Sequence, residues 1–246
     1  MTDTLPIVPT DRAAFRDLAE IDWTPVQRQR NADGTESVVR EKWPIIRPGF
    51  LSAHVMYEPG MVVRRHGHRS NHVVFVLGGD GRLGELPVAR GTHAHVPLGA
   101  AFGPIVAGPD GLVCWELSFG EFGGWGDRPE LYANEIERLG VPPLPDPPLD
   151  LGDWFVDPRG DWGRDRPSPK VEGLEEVILQ LGDLPWEQAG EGIMVKRAIA
   201  EDTFASTYIR VARGARFSPE VGGHHLLYVV AGDGSVDGQP CARATH

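Results

Sequence analysis

Residues 59–79 read PGMVVRRHGHRSNHVVFVLGG, and the spacing of polar residues inside this Val-rich run decides the reading of the fold. His66 and His68 stand two apart, so on a strand both imidazoles face the same side. A short polar break follows (Arg69, Ser70, Asn71). His72 then stands where it can return on the neighbouring strand. Three neutral imidazoles converging from a corner of two strands suit a divalent transition metal such as Zn, Fe, Cu or Ni.

The glycines around these histidines extend the pattern. Gly60, His66, His68 and Gly79 fit a frame of Gly, five residues, His-x-His, three residues, one further ligand, six residues, Gly. This frame resembles the first motif of the cupin superfamily, in which the further ligand is Glu; here it is His72. Gly91, Pro97 and Gly99 fit the frame of the second cupin motif. Phe102 falls where that motif places its metal-binding His, and Val106 where it places Asn. The resemblance implies an all-β fold built on a cupin jelly-roll barrel, the double-stranded β-helix. It also implies one divalent metal held by His66, His68 and His72, with nitrogen–metal distances of about 2.0–2.2 Å. A neutral three-His set resembles that of several cupin dioxygenases, such as those acting on β-diketones or thiols. In those enzymes the third His comes from the second motif.

The leading functional expectation is therefore a non-haem iron(II) dioxygenase acting on a small oxygenated organic molecule, with Zn, Mn and Ni as the other candidate ions. Positions left open on the ion would take a bidentate substrate and O₂. Phe102 would make the pocket floor apolar. The rival expectation is a non-catalytic binding or sensing cupin with a structural metal or a small ligand, since one fold hosts many activities.

Composition bounds the alternatives. A chain of 246 residues with 41% hydrophobic content builds one large or two modest domains, and its 31 glycines and 22 prolines point to the many turns of an all-β protein. The net charge of −11 argues against a nucleic-acid or anionic-membrane surface. Cys114 and Cys241 lie far apart with no Cys-x-x-Cys, so a disulfide framework is not expected and a reducing, cytoplasmic setting is. The opening MTDTLPIVPTDRAAF lacks a basic region followed by an apolar run, so it does not read as a signal peptide. No stretch approaches the roughly 18 apolar residues of a membrane span.

Along the chain, residues 1–45 read as a lead-in segment, with a short helix over 12–19 capped by Thr10 or Asp11 and a turn at Ala32, Asp33 and Gly34. Residues 46–125 read as the metal-binding barrel, its strands expected near 53–57, 61–63, 72–77, 92–96 and 111–119. Residues 126–170 read as a helix over 130–139, ending at Gly140, and an extended connector with eight prolines. Residues 171–246 read as a partial, degenerate second barrel. Leu184-Pro185-Trp186 echoes Ile21-Asp22-Trp23, and residues 208–214 echo 54–60. His225 and Gly232 echo His72 and Gly79 at the same separation. The repeat suggests a duplicated barrel, a bicupin. His224 and His225 have no partner ligands nearby and read as structural remnants. An incomplete jelly roll leaves bare strand edges, to be covered by the N-terminal segment, the Pro-rich connector or another subunit, as in a homodimer.

Six of the nine histidines lie between His54 and His95. Of these, His93 and His95 share a strand face; either could enter the barrel as a substitute ligand or a general base, or pack as an ordinary pair. Arg64 has the strand parity of His66 and is a candidate for holding a substrate carboxylate. Phe102, Phe75 and Trp115 are the candidate pocket wall, with plain core packing as the competing reading. Glu116 alternates with Cys114 on a late strand and reads as an ordinary strand residue. The expected partner is a small-molecule substrate or ligand.

Overall fold

The computed structural model describes residues 16–149, 168–202, 204–219 and 225–244, with the backbone alone of Phe122. Two strands dominate it. β5 (His66–Leu83) and β8 (Ile105–Gly126) run antiparallel along almost their whole lengths, from His66 opposite Gly126 to Leu83 opposite Ile105. Around this ribbon lie β1 (Thr24–Arg30), β2 (Glu36–Arg47), β3 (Phe50–Tyr57) and β7 (Thr92–Val96), together with β9 (Val177–Gln180). The sheet order is β1-β2-β3-β8-β5-β7-β9; β4 (Val62–Val63) joins β8, and β6 (Leu86–Ala89) joins β5. All of these pairings are antiparallel.

Period-2 alternation sorts the side chains. Val55 and Tyr57 from β3, Val74 and Val76 from β5, Ala94 and Val96 from β7, and Leu112 and Cys114 from β8 all enter one apolar core. Burying a side chain of this size contributes roughly 1.5–3 kcal/mol, so the alternation fixes which face of each strand turns inward. The four motif glycines, Gly60, Gly79, Gly91 and Gly99, all have left-handed φ between +73° and +96°, a region that L side chains rarely adopt. At Gly79 space also forbids a side chain: a Cβ would lie 2.0 Å from the Gly111 carbonyl oxygen. Gly60, Gly91 and Gly99 stand at turns between strands, and Gly79 sits at an irregularity inside β5 where the ladder shifts register.

Three sequence expectations change. The segment before residue 46 is a hairpin of the barrel sheet, β1 turning through Gly34 into β2, because Val26, Val38 and Val39 are buried there. The barrel also takes a strand from beyond the connector: β9 pairs with β7 from Thr92 opposite Gln180 to His95 opposite Val177. Finally, His72 does not return on a neighbouring strand. β5 runs unbroken from His66, and the irregularity lies across from it, where His68 faces Gly124 but Ser70 already faces Gly120. Residues 121–123 of β8 thus stand against Arg69 alone, two residues more than the ladder needs, and His66, His68 and His72 keep the same parity.

α1 (Pro129–Leu139) is the expected connector helix, with Pro at its start and Gly140 in the left-handed C-cap conformation. The Pro-rich run after it lies along the outer edge of β1: Arg30 N–H donates to Pro142 O and Leu144 N–H to Arg28 O, each at 3.1 Å. Half of the expected helix over 12–19 lies outside the described residues; what is described is a 3-10 turn, Leu18–Glu20, capped by the Asp17 side chain.

The chain divides into two compact units, Trp23–Ser218 and Met1–Asp22 with Pro219–His246. The first also contains β10 (Glu187–Gly190), β11 (Ile193–Ala200) and β12 (Ala205–Val211), an antiparallel three-stranded sheet in that order. The second contains the hairpin β13 (Asp233–Val236) and β14 (Gln239–Ala242). Its register, Asp233 opposite Ala242 and Val236 opposite Gln239, repeats that of β5 and β6, where Asp80 faces Ala89 and Leu83 faces Leu86.

Deleting residues 171–246 removes β9 and leaves the β7 edge bare. We expect the 1–170 fragment to keep the histidines of β5 but to self-associate. Size-exclusion chromatography checks this; a soluble, monomeric fragment would show that the edge needs no cover.

Candidate metal centre

The histidines of β5 gather at one end of the barrel. The ring centroids of His66 and His68 are 4.9 Å apart, and those of His68 and His72 are 4.4 Å apart. His66 and His72 are buried and His68 is half-buried. Phe102 is 1% exposed, with its ring centroid 4.5 Å from that of His66 and 5.2 Å from that of His72. A reciprocal pair of backbone hydrogen bonds with His66, of 3.0 and 2.8 Å, fixes it there.

His66 Nδ1 lies 2.8 Å from Arg64 O. A ring N–H on Nδ1 donates to that carbonyl, which leaves Nε2 carrying the lone pair, the arrangement found in metal-ligating histidines. Burial lowers the His66 pKa to about 4 despite the opposing carbonyl bond, so the ring is neutral at pH 7. Burial and the neighbouring His72 and His66 push His68 well below its ordinary range too.

Sequence reasoning missed the acidic member. Glu116 on β8 stands opposite Val74, one inward position along from His72. Its Oε2 lies 3.1 Å from His72 Nε2, and its Oε1 accepts from the Tyr57 hydroxyl at 2.7 Å. Burial pushes its carboxyl up, but the bonds from His72 and Tyr57 and the neighbouring His66 outweigh that and hold it below its ordinary value. The signal was present in Leu112-Val113-Cys114-Trp115-Glu116-Leu117: an acid with the parity of buried Leu112 and Cys114 needs a partner. Burial and then Glu116 raise the Tyr57 hydroxyl and the Cys114 thiol well above their ordinary values, so both stay protonated.

The other candidates lie elsewhere. His93 and His95 face away from the barrel interior, as their registers opposite Phe75 and Val73 require, while their neighbours Ala94 and Val96 face in. Phe75 packs on His93 at 5.7 Å, and the Trp115 ring N–H donates to Ser52 Oγ; both are on that outer face rather than in the pocket wall. Phe204 covers part of it, edge-on to His95 at 5.1 Å and stacked on Phe119 at 5.3 Å. Arg64 places its guanidinium over the Tyr132 ring of α1, not in the barrel. Of the proposed pocket wall, Phe102 alone lines the internal cavity, with Tyr57, Val74, Ile105, Cys114 and Glu116 among its neighbours. That cavity holds about 10 Å³, about one water molecule. His225 is exposed, and His224 lies outside the described residues.

The donor types suit a divalent ion: three imidazoles, His66 oriented by a backbone carbonyl, beside a carboxyl held below its ordinary value. As placed, no group of three or more His, Cys, Asp or Glu side chains among the described residues could hold a metal ion. His72 Nε2 faces Glu116 instead, and Phe102 packs against the rings.

His93 sets an acid limit on the fold. Its ring nitrogens have no hydrogen-bond partner, and burial followed by the neighbouring His95 lowers its pKa to about 4. Burial and Lys42 bring His54 to about 4 as well. Between pH 6.5 and 4 the unfolded chain binds protons that the native chain does not, so stability is full above about pH 6.5 and falls as the pH drops towards 4. We expect urea midpoints to fall between pH 7 and 4.5, and His93→Phe to flatten that fall; equal slopes would contradict it.

No protein-family model matches the chain, and no curated protein matches it in sequence. Solved structures do match in shape. A candidate dioxygenase of Nostoc punctiforme PCC 73102 superposes with a TM-score of 0.62 at 12% identity, over 97% of this chain and 74% of that one. Two variants of Bacillus subtilis oxalate decarboxylase superpose with a TM-score of 0.53 at 15% identity, over 96% of this chain and 71% of theirs. At these identities the likeness is one of architecture, and the architecture is the cupin jelly roll.

Proposed function

We propose that the chain is a metal-binding cupin whose barrel holds one divalent ion through His66, His68 and His72, and that it acts as a non-haem iron dioxygenase on a small oxygenated organic substrate. The observation that carries the reading is the gathering of three imidazole rings, 4.4–4.9 Å between successive centroids, beside the half-buried Glu116 carboxylate. Iron(II), when bound, supplies the redox chemistry of oxygen activation. The chain's own groups orient and exclude water. The Arg64 carbonyl fixes the tautomer of His66, Tyr57 holds one Glu116 oxygen, and Phe102 with the Val74–Ile105 side of the core keeps the inner wall dry. The 12%-identical structural neighbour described as a candidate dioxygenase is consistent with this reading.

A second reading, a binding or sensing module with a structural ion, is favoured by one observation: the water-sized cavity leaves no room for a substrate behind Phe102. Metal analysis of the purified protein, followed by oxygen uptake with a panel of β-diketones and hydroxylated aromatics, separates the two. Iron with substrate-dependent uptake supports the enzyme; tightly held zinc with no uptake supports the module.

His66→Ala should abolish metal binding, because the remaining imidazoles lose their backbone-oriented member. Phe102→His places a ring nitrogen against the same cluster and should tighten binding by about tenfold or more. Unchanged affinity in both variants, read by titration with cobalt(II), would place the ion elsewhere.

A further inference from the structure

Glu116 offers a carboxylate where the first cupin motif does not. The motif resembled by residues 60–79 supplies its acid from position 72, which is His72 here, and the second motif supplies a histidine from position 102, which is Phe102. The barrel interior nevertheless contains three imidazoles and one carboxylate, the acid having moved from β5 to the adjacent strand β8. The two strands are in register there: Val74 faces Glu116 and His72 faces Ser118. Glu116 therefore reaches its carboxylate to the His72 ring across one strand gap.

The distance between the two groups suits a shared ion as well as a hydrogen bond. Two donors bound to one divalent ion, each at about 2.1 Å and at right angles, stand about 3 Å apart. His72 Nε2 and Glu116 Oε2 are 3.1 Å apart. The second oxygen, Oε1, is held at 2.7 Å by the Tyr57 hydroxyl, which presents Oε2 alone towards the histidines. Tyr57 is itself 5% exposed and on the inward face of β3, so its hydroxyl cannot swing away to solvent. An orienting partner of this kind is what a ligating carboxylate ordinarily has.

We propose that Glu116 is the carboxylate ligand of the metal centre, binding through Oε2 beside His72 Nε2, with Tyr57 as its positioning residue. The inference rests on the metal-binding reading above and adds to it a ligand outside both motifs. With an ion bound, the His72 ring would carry its proton on Nδ1, so that the Nε2 lone pair and Glu116 Oε2 would both face the ion and the ring would stay neutral. The centre then carries one negative ligand rather than none.

The test uses the full chain, stripped with a chelator and titrated with cobalt(II), with affinity and the visible ligand-field bands as readouts. Glu116→Gln keeps the side-chain volume and an oxygen acceptor. It should weaken cobalt(II) binding by about 100-fold and shift the bands. Glu116→His, which returns a ligand, should recover most of the affinity with a different spectrum. Tyr57→Phe should cost severalfold, with the bands nearly unmoved. Wild-type and Glu116→Gln proteins that bind cobalt(II) with equal affinity and identical bands would overturn the assignment and leave the three-His centre standing. A wild-type chain that binds no cobalt(II), zinc(II) or iron(II) would overturn the metal centre itself. If Glu116→Gln does not fold, the Glu116→His spectrum decides: bands identical to wild type would exclude Glu116 from the coordination sphere.

Discussion

Gly67→Ala should destabilise the protein by about 3 kcal/mol, at the upper end of what overpacking costs. A Cβ at Gly67 would stand 2.3 Å from Trp125 Cζ2, 2.4 Å from Trp125 Cε2 and 2.5 Å from the Ala100 carbonyl oxygen. None of these can retreat cheaply. Trp125 is 1% exposed, and Ala100 is equally buried beside the reciprocal His66–Phe102 bridge. The added methyl must therefore push β5 away from β8 where Gly67 faces Trp125, between the two histidines of the His-x-His pair. Metal affinity should fall along with stability. Gly78→Ala on the same strand is the control: nothing lies within 4 Å of its Cβ, and its cost should stay within about 0.5 kcal/mol. Urea denaturation of the two variants side by side checks the contrast, and equal midpoints would contradict it.

Arg65→Ala should cost a comparable amount, about 3 kcal/mol, through charge rather than volume. The Arg65 guanidinium donates to Asp127 at 3.0 Å, to Gly103 O at 3.1 Å, and to Glu176 and Glu175 at 3.3 Å each. Its side chain is 8% exposed, and those of Asp127 and Glu176 are 9% and 12% exposed. Removing the cation leaves two nearly buried carboxylates with only Lys170, 2.8 Å from Asp127, in compensation. The Glu175 arm, 60% exposed, adds little, since exposed pairs contribute at most about 1 kcal/mol. The same substitution should unfasten the segment around Glu175 and Glu176 from the barrel. Limited proteolysis should then cut there first, and an unchanged cleavage pattern would show that other contacts hold the segment. Acid should act in the same direction: Asp127 is held below its ordinary value by Lys170 and Arg65 against the pull of burial, so its contribution is lost as the pH falls through that lowered value.

Much of the fold was legible because the jelly roll writes itself in corners. Gly60, Gly91 and Gly99 at turns, and Gly79 at an irregularity within β5, all have left-handed φ, and few residues other than glycine adopt it readily. The inner strands were legible through alternation, since Val74, Val76, Ala94 and Val96 all point inward. β1 and β2 were harder: they are rich in Arg, Gln and Glu, and the burial that makes them strands comes from the sheet they join. β9 is four residues long and carries no local sign that its partner is β7. The polar break Arg69-Ser70-Asn71 has the composition of a turn, yet the ladder absorbs the irregularity in β8 and lets β5 continue. Among the site residues, parity put His66 and His68 on one face; His72 was expected there by way of a turn and instead shares the face because β5 continues through it. Glu116 was not expected there, because residue type argued for the surface and only the positions of Tyr57 and His72 reveal why an acid is tolerated inside. His93 and His95 show the converse, two histidines buried on the outer face with the parity of Phe75 rather than of Val74.

The pairing of β9 with β7 has a consequence for synthesis. A chain leaving the ribosome presents β7 when residue 96 emerges, but the strand that flanks it arrives only with residues 177–180. At 5–20 residues per second that interval lasts on the order of 5–20 s, far longer than a hairpin takes to form. For that time the nascent barrel is a sheet with one side open, and its fate in the cell depends on whatever occupies that side first.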